Sequence, residues 1–139
     1  MNGVARALTA APSLFLAFDF GTKRIGVASG NNLTHTATPL TTLAHEGSQA
    51  RFVAIGELVA EWQPAALVVG VPRHPDGAPH DNTRRAERFA RQLHGRFGLP
   101  VHEVDERYTT TESLAAGAAD VDAASAVLIL EQYFHQLEK

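Results

Sequence analysis

Apolar residues fall in short blocks along the chain, and the period of the blocks changes. Leu14 to Phe20 (LFLAFDF) is apolar at every position but Asp19, a length and density that predict a strand buried on both faces. Gly21-Thr22 turns the chain into Ile25 to Ser29 (IGVAS), a second strand with small residues where a neighbour can approach closely. Asn31-Asn32 supplies turn chemistry, and the β-rich stretch Thr34 to Leu43 completes a meander. From Ser48 the period becomes helical, with Phe52, Ile55, Val59 and Trp62 on one side and Pro64 blocking continuation. Ala66 to Val71 (ALVVGV) is another buried strand, followed by the loop PRHPDGAPHDN. Ala86, Phe89, Ala90, Leu93 and Phe97 then form the apolar stripe of a second helix, outside which Arg84, Arg85, Arg88 and Arg91 largely fall. Val101 to Val104 is a short last strand. Val121 to Leu137 is a long last helix, expected to turn Ala124, Val127, Leu128, Leu130 and Phe134 to the sheet.

The resulting order is β-β-β-α-β-α-β-α, an α/β fold with a mixed sheet and helices on its faces. At 139 residues the chain makes one domain. Residues 1–13 read as a flexible N-terminal tail and 14–139 as the domain. The opening apolar run passes directly into Asp19, Phe20 and Gly21 without a small-residue cleavage site, so it is not read as a secretory signal; a cytoplasmic protein without membrane partners is expected. The absence of cysteine removes disulfides, thiolate catalysis and cysteine-ligated metals.

A net charge of -3 conceals a strong asymmetry: residues 73–96 carry +3, with six of the twelve basic groups, whereas residues 97–139 carry -6. A basic segment and an acidic end suit a polyanion and a divalent cation, respectively, although for charge patterning alone a solvated helix face and tail are the more usual account. The acids that such a fold can gather are Asp19, the pair Asp105-Glu106 and Asp122. Hard carboxylate oxygens prefer Mg²⁺ or Mn²⁺, and metal-assisted phosphodiester cleavage needs such a set. Each has a plainer use: Asp19 as a turn cap, Asp105 or Glu106 as a partner of Arg107, and Asp122 as a helix N-terminal acid. Because neighbours in an extended chain face opposite ways, one of Asp105 and Glu106 is expected in the site. Thr109-x-x-Glu112 reads as a capping box. The seven histidines show no metal-binding helical spacing, though His74 and His80 share a loop and could assist phosphate binding or a proton transfer.

Four ordered blocks, FDFGTKRIGVAS, VVGVP with a DG loop and RRAERFARQL, VDERYTT, and VDAASAVLILEQYF, resemble the YqgF/RuvX family of Holliday-junction-resolvase-like or pre-16S ribosomal RNA nucleases. The resemblance covers residues 14–137. It implies an RNase H-like fold with a five-stranded mixed sheet and helices on both faces. It also implies a two-metal-ion endonuclease using Mg²⁺ or Mn²⁺, with Asp19, Asp105, Glu106 and Asp122 as catalytic and metal-binding residues. Arg24 and Arg107 match basic positions of the family. Lys23 lies beside them, and Arg73, Arg84, Arg85, Arg88 and Arg91 are expected to line the approach to the metal site and hold phosphates. Related resolvases end the fourth strand with an acid where this chain reads Val69-Gly70-Val71-Pro72, so the acids after the fifth strand must substitute. Gly117 to Val121 is shorter than the basic stretch many members carry. The expected activity is processing of the 5′ end of precursor 16S ribosomal RNA, acting on RNA or ribosomal particles as a monomer or homodimer. The alternatives are a junction-cleaving DNA nuclease and a non-catalytic RNA-binding assembly factor. An actin-like phosphotransferase shares the first turn, but needs two such domains.

Overall fold

The central strand, β1 (Leu14–Phe20), pairs antiparallel with β2 (Ile25–Asn31) on one side and parallel with β4 (Ala66–Val71) on the other. β3 (Thr36–Leu43) and β5 (Val101–Asp105) form the edges, giving the order β3-β2-β1-β4-β5. Three helices complete the chain: α1 (Ser48–Trp62), α2 (Asp81–Phe97) and α3 (Val121–Leu137). The element order is the one that the hydrophobic pattern predicts. The structure is a computed structural model and describes residues 13–21, 23–44, 47–74, 76–106 and 121–137. Of the expected tail, residues 1–12 lie outside that description; Ser13 is tied to Asn32, whose Oδ1 accepts from its N–H at 2.8 Å.

Alternation along β1 divides the interior into two layers. Leu16 and Phe18 face α1 and α2, packing with Phe52, Ile55, Phe89 and Leu93. Phe15 and Ala17 face the other way, against Ile129, Leu130, Tyr133 and Phe134 of α3. Leu16, Ala17 and Phe18 are fully buried, as a strand covered on both sides requires. The ring of Phe18 meets that of Phe89 edge-on at 5.9 Å between centroids, and removing such a ring costs about 3–5 kcal/mol.

Three local readings shift. β3 starts at Thr36, two residues later than expected, because Asn31 Oδ1 accepts from the N–H groups of Leu33 and Thr34 and holds 32–35 in a turn. The left-handed residue of that turn is His35 (φ 55°), not an asparagine. The buried face of α3 consists of Ala123, Ala126, Ile129, Leu130, Tyr133 and Phe134, whereas Ala124, Val127 and Leu128 are half-buried. The α3 segment is apolar on nearly every side, so its sequence holds too little contrast to set the phase.

Candidate active site

Asp19 has the parity of Phe15 and Ala17, which places it on the α3 face near the end of β1. Its cross-strand partner is Gly26. A side chain there would run into the Asp122 carbonyl, and a Cβ would stand 2.9 Å from the Ala123 nitrogen. The bare backbone of Gly26 thus lets the first turn of α3 settle on β2 and brings Asp122 up to Asp19. The half-buried Asp122 also pairs with Arg24, whose Nε lies 2.9 Å from Asp122 Oδ2. One turn further along α3, the buried Ser125 hydroxyl donates a hydrogen bond to the Asp19 carboxylate. Burial first, and then the charge of Asp122, push the Asp19 carboxyl up to about 6 in spite of that bond.

The third acid arrives from the opposite direction. Val104 faces α3, so Asp105 faces away and Glu106 turns back. The Glu106 N–H donates to Val71 carbonyl oxygen at 3.1 Å, carrying the β4–β5 ladder past the end of the strand. Its carboxyl then lies over Gly70, where a Cβ would be 2.6 Å from Glu106 Cδ and 2.8 Å from Oε2. Extending the β1–β4 register by one residue puts Gly70 beside Asp19. The Glu106 side chain therefore fills the space that an acid at the end of the fourth strand would otherwise occupy. Burial, followed by the charges of Asp19 and Asp105, pushes its carboxyl up to about 8.

Asp105 is not brought into this group. With Arg73, Val71 and Glu103 it lines a shallow hollow at the β5 edge, and its carbonyl accepts from Gln132 Nε2 at 2.9 Å. The resemblance carries both members of the pair to the site, the alternation of an extended chain only one; the pleat of β5 turns Glu106 towards Asp19, with Asp105 near enough for its charge to act on Glu106. Among the described residues, no three His, Asp or Glu side chains close into a ready-made metal cage. Like charges repel, and Asp122 is held by Arg24.

The basic residues divide by face. Lys23 and Arg24 are exposed in the β1–β2 turn next to the acids. Arg84, Arg85, Arg88 and Arg91 are exposed on α2, across the sheet from Asp19, and Arg73 pairs with Glu87 at 3.3 Å. The sequence expects these arginines to line the approach to the metal site; the structure puts those of α2 on the sheet face opposite α3 and Arg73 in the hollow beside Asp105. Arg107, the Thr109–Glu112 capping box and residues 117–120 lie outside the described residues. His80 caps α2: its Nδ1 accepts from the Asn82 N–H at 3.2 Å, and its ring lies edge-on to His74 at 4.8 Å between centroids. Sequence reasoning missed Ser125, although Asp122-x-x-Ser125 puts both side chains on one helix face.

Known proteins share this arrangement of elements. The solved structure of RuvC from T. thermophilus in complex with a Holliday junction substrate superposes with a TM-score of 0.61 at 14% identity, covering 91% of this chain and 96% of that one. A fowlpox virus resolvase bound to Holliday junction DNA gives 0.58 at 9% identity, covering 91% and 99%. These likenesses establish an RNase H-like fold. At the sequence level, a protein of a Polaromonas species named "Putative pre-16S rRNA nuclease" is 65% identical over 94% of both chains. One of the same name from Burkholderia vietnamiensis is 52% identical over 93% of both. The family RuvX, described as Holliday junction resolvase, matches residues 13–136, and the chain belongs to that family.

Proposed function

We propose that this chain is a divalent-metal-dependent nuclease that hydrolyses phosphodiester bonds in precursor 16S ribosomal RNA, with Asp19, Glu106 and Asp122 as its metal-binding acids. The observation that carries the reading is the Glu106 carboxyl over Gly70 beside Asp19, two half-buried acids each pushed up partly by neighbouring negative charge. A structural ion pair would lower such values; here positive charge is in deficit. The donors are hard carboxylate oxygens, which fits Mg²⁺ or Mn²⁺. Bound there, such ions would activate water and stabilise the leaving oxygen.

Each residue of the chain has a distinct part. Asp19 at the end of β1 and Glu106 just past β5 would hold the cation, and Ser125 fixes the orientation of Asp19. Arg24 restrains Asp122 and, being largely exposed, could also meet a substrate phosphate. Lys23 adds charge at the same rim.

Ribosomal RNA is preferred because the curated relatives carry that name at 52–65% identity. Branched DNA is the second reading, favoured by the family description. Among the described residues no helix is long and apolar enough to cross a membrane. The proposed setting is the cytoplasm, on RNA or assembling ribosomal particles. The test is cleavage of labelled precursor 16S RNA, single strands and four-way junctions with Mg²⁺ or Mn²⁺, comparing wild type with Asp19→Asn. Equal activity of the two proteins would sink the assignment, and cleavage confined to junctions would replace RNA by DNA.

A further inference from the structure

Across the sheet from the acids, the same end of β1 carries a second feature. Phe20 follows Asp19 and therefore faces α1 and α2. Its ring lies 4.9 Å from that of Phe89, and the Arg51 guanidinium stands over it at 5.5 Å. These residues floor an open cleft of about 270 Å³, rimmed by Arg51 from α1 and by Arg85, Arg88 and Gln92 from α2. Among the described residues, no acidic side chain lines it. Arg85 is steadied by a neutral partner, the Asn82 Oδ1, at 3.1 Å. The neighbouring hollow beside Arg91 contains Glu103, whereas the described charged residues lining the Phe20 cleft are all arginines.

We propose that this cleft holds one unstacked nucleotide of a single-stranded stretch of the substrate, its phosphate between Arg51 and Arg88 and its base against Phe20. Guanidinium groups suit phosphate, and an aromatic ring partly open to solvent suits the face of any base. Gln92 supplies an amide that can pair with a base edge. An acidic peptide would satisfy the arginines and leave the aromatic floor unused. A duplex, whose bases are stacked inside, cannot offer a base to Phe20. Since Asp19 and Phe20 are consecutive, a strand draped over the end of β1 reaches both faces, and the cleft selects substrates with an unpaired segment next to the cleavage point. The inference rests on the nucleic-acid substrate proposed above, but not on the metal chemistry.

The test measures binding of a labelled unstructured RNA oligonucleotide, and of a blunt duplex of equal length, to Asp19→Asn protein without divalent metal. Added to that background, Arg51→Ala and Arg88→Ala should each flatten the slope of log affinity against log salt for the single strand by about 0.7. Phe20→Leu should weaken single-strand binding about 5- to 50-fold, with Phe20→Trp restoring it, and both should leave duplex binding within about 2-fold. Melting temperatures identify any Phe20 variant that fails to fold, and the two arginines, being on the surface, decide the matter in that event. Unchanged single-strand binding in the arginine variants, or equal losses for strand and duplex, overturns the cleft assignment. Cleft-dependent binding by a wild type that cleaves nothing overturns the nuclease reading alone.

Discussion

The carboxyl of Glu106 rests where the side chain of residue 70 would stand, and residue 70 is glycine. Two positions thirty-six residues apart therefore act as one: the missing side chain on β4 is what admits the acid that follows β5. Gly70→Ala should displace Glu106 and press on Ile129. The expected outcome is a loss of about 1–3 kcal/mol in denaturant unfolding together with a loss of cleavage. The stronger test moves the acid. Glu106→Ala should be inactive, and Gly70→Asp combined with Glu106→Ala should regain part of the activity by supplying the carboxylate from β4. If the double variant is no more active than the single one, the space is not interchangeable.

The raised carboxyls make the metal-free fold sensitive to pH. Asp19 is near 6 and Glu106 near 8 in the folded chain, both above their ordinary carboxylate values. An acid raised by folding contributes stability that is fully present below its unfolded value and is lost as pH rises through its folded value. In chelator, melting temperature should therefore fall between about pH 4 and pH 8. Mg²⁺ or Mn²⁺ should reverse the fall at pH 8, since a ligand of the folded state stabilises it by mass action. Glu106→Gln should flatten the pH curve and shrink the gain from metal; a curve identical to wild type would detach Glu106 from both effects.

Asp19→Asn removes a charge while preserving the volume and one oxygen that can accept from Ser125. The variant should fold, with a melting temperature at neutral pH no lower than that of metal-free wild type, because the cost of burying a carboxylate disappears. Cleavage should be abolished. Circular dichroism with a metal-dependent cleavage assay separates the two effects, and a folded variant retaining full activity would remove Asp19 from the chemistry.

The chain displays Asp19 and Asp122 plainly, because each interrupts or opens an apolar segment that must be buried. It does not display which of Asp105 and Glu106 joins them. That choice follows from the parity of Val104, and the stretch Val101 to Glu106 alternates too little for parity to be read without its neighbours. The arginines of α2 show the converse limit. The helical period correctly puts Arg84, Arg85, Arg88 and Arg91 outside the apolar stripe, yet no local pattern states which face of the sheet a helix covers. Arg51 and Phe20 escaped notice for the same reason, since their proximity exists only once α1 and α2 pack side by side. Glycines 26 and 70 read as ordinary small strand residues; what they admit is set by α3 and by the turn after β5, far along the sequence.

Ser125 offers the last test, because it acts through Asp19. Its hydroxyl favours the charged form of that acid, so Ser125→Ala should raise the Asp19 value further. Ser125 is buried and Asp19 half-buried, and losing the bond should cost about 1 kcal/mol of stability. The distinguishing readout is functional. A higher Asp19 value shifts the acid limb of the cleavage profile upward and increases the metal concentration needed for half-maximal rate at neutral pH, since cation and proton compete for the same oxygens. Raising the pH or the metal concentration should then restore the rate. Ser125→Thr, which keeps the hydroxyl, should resemble wild type in its pH profile if the helix accepts the added methyl. A uniform loss of rate that neither pH nor metal repairs would show instead that Ser125 serves only the packing of α3 on β2.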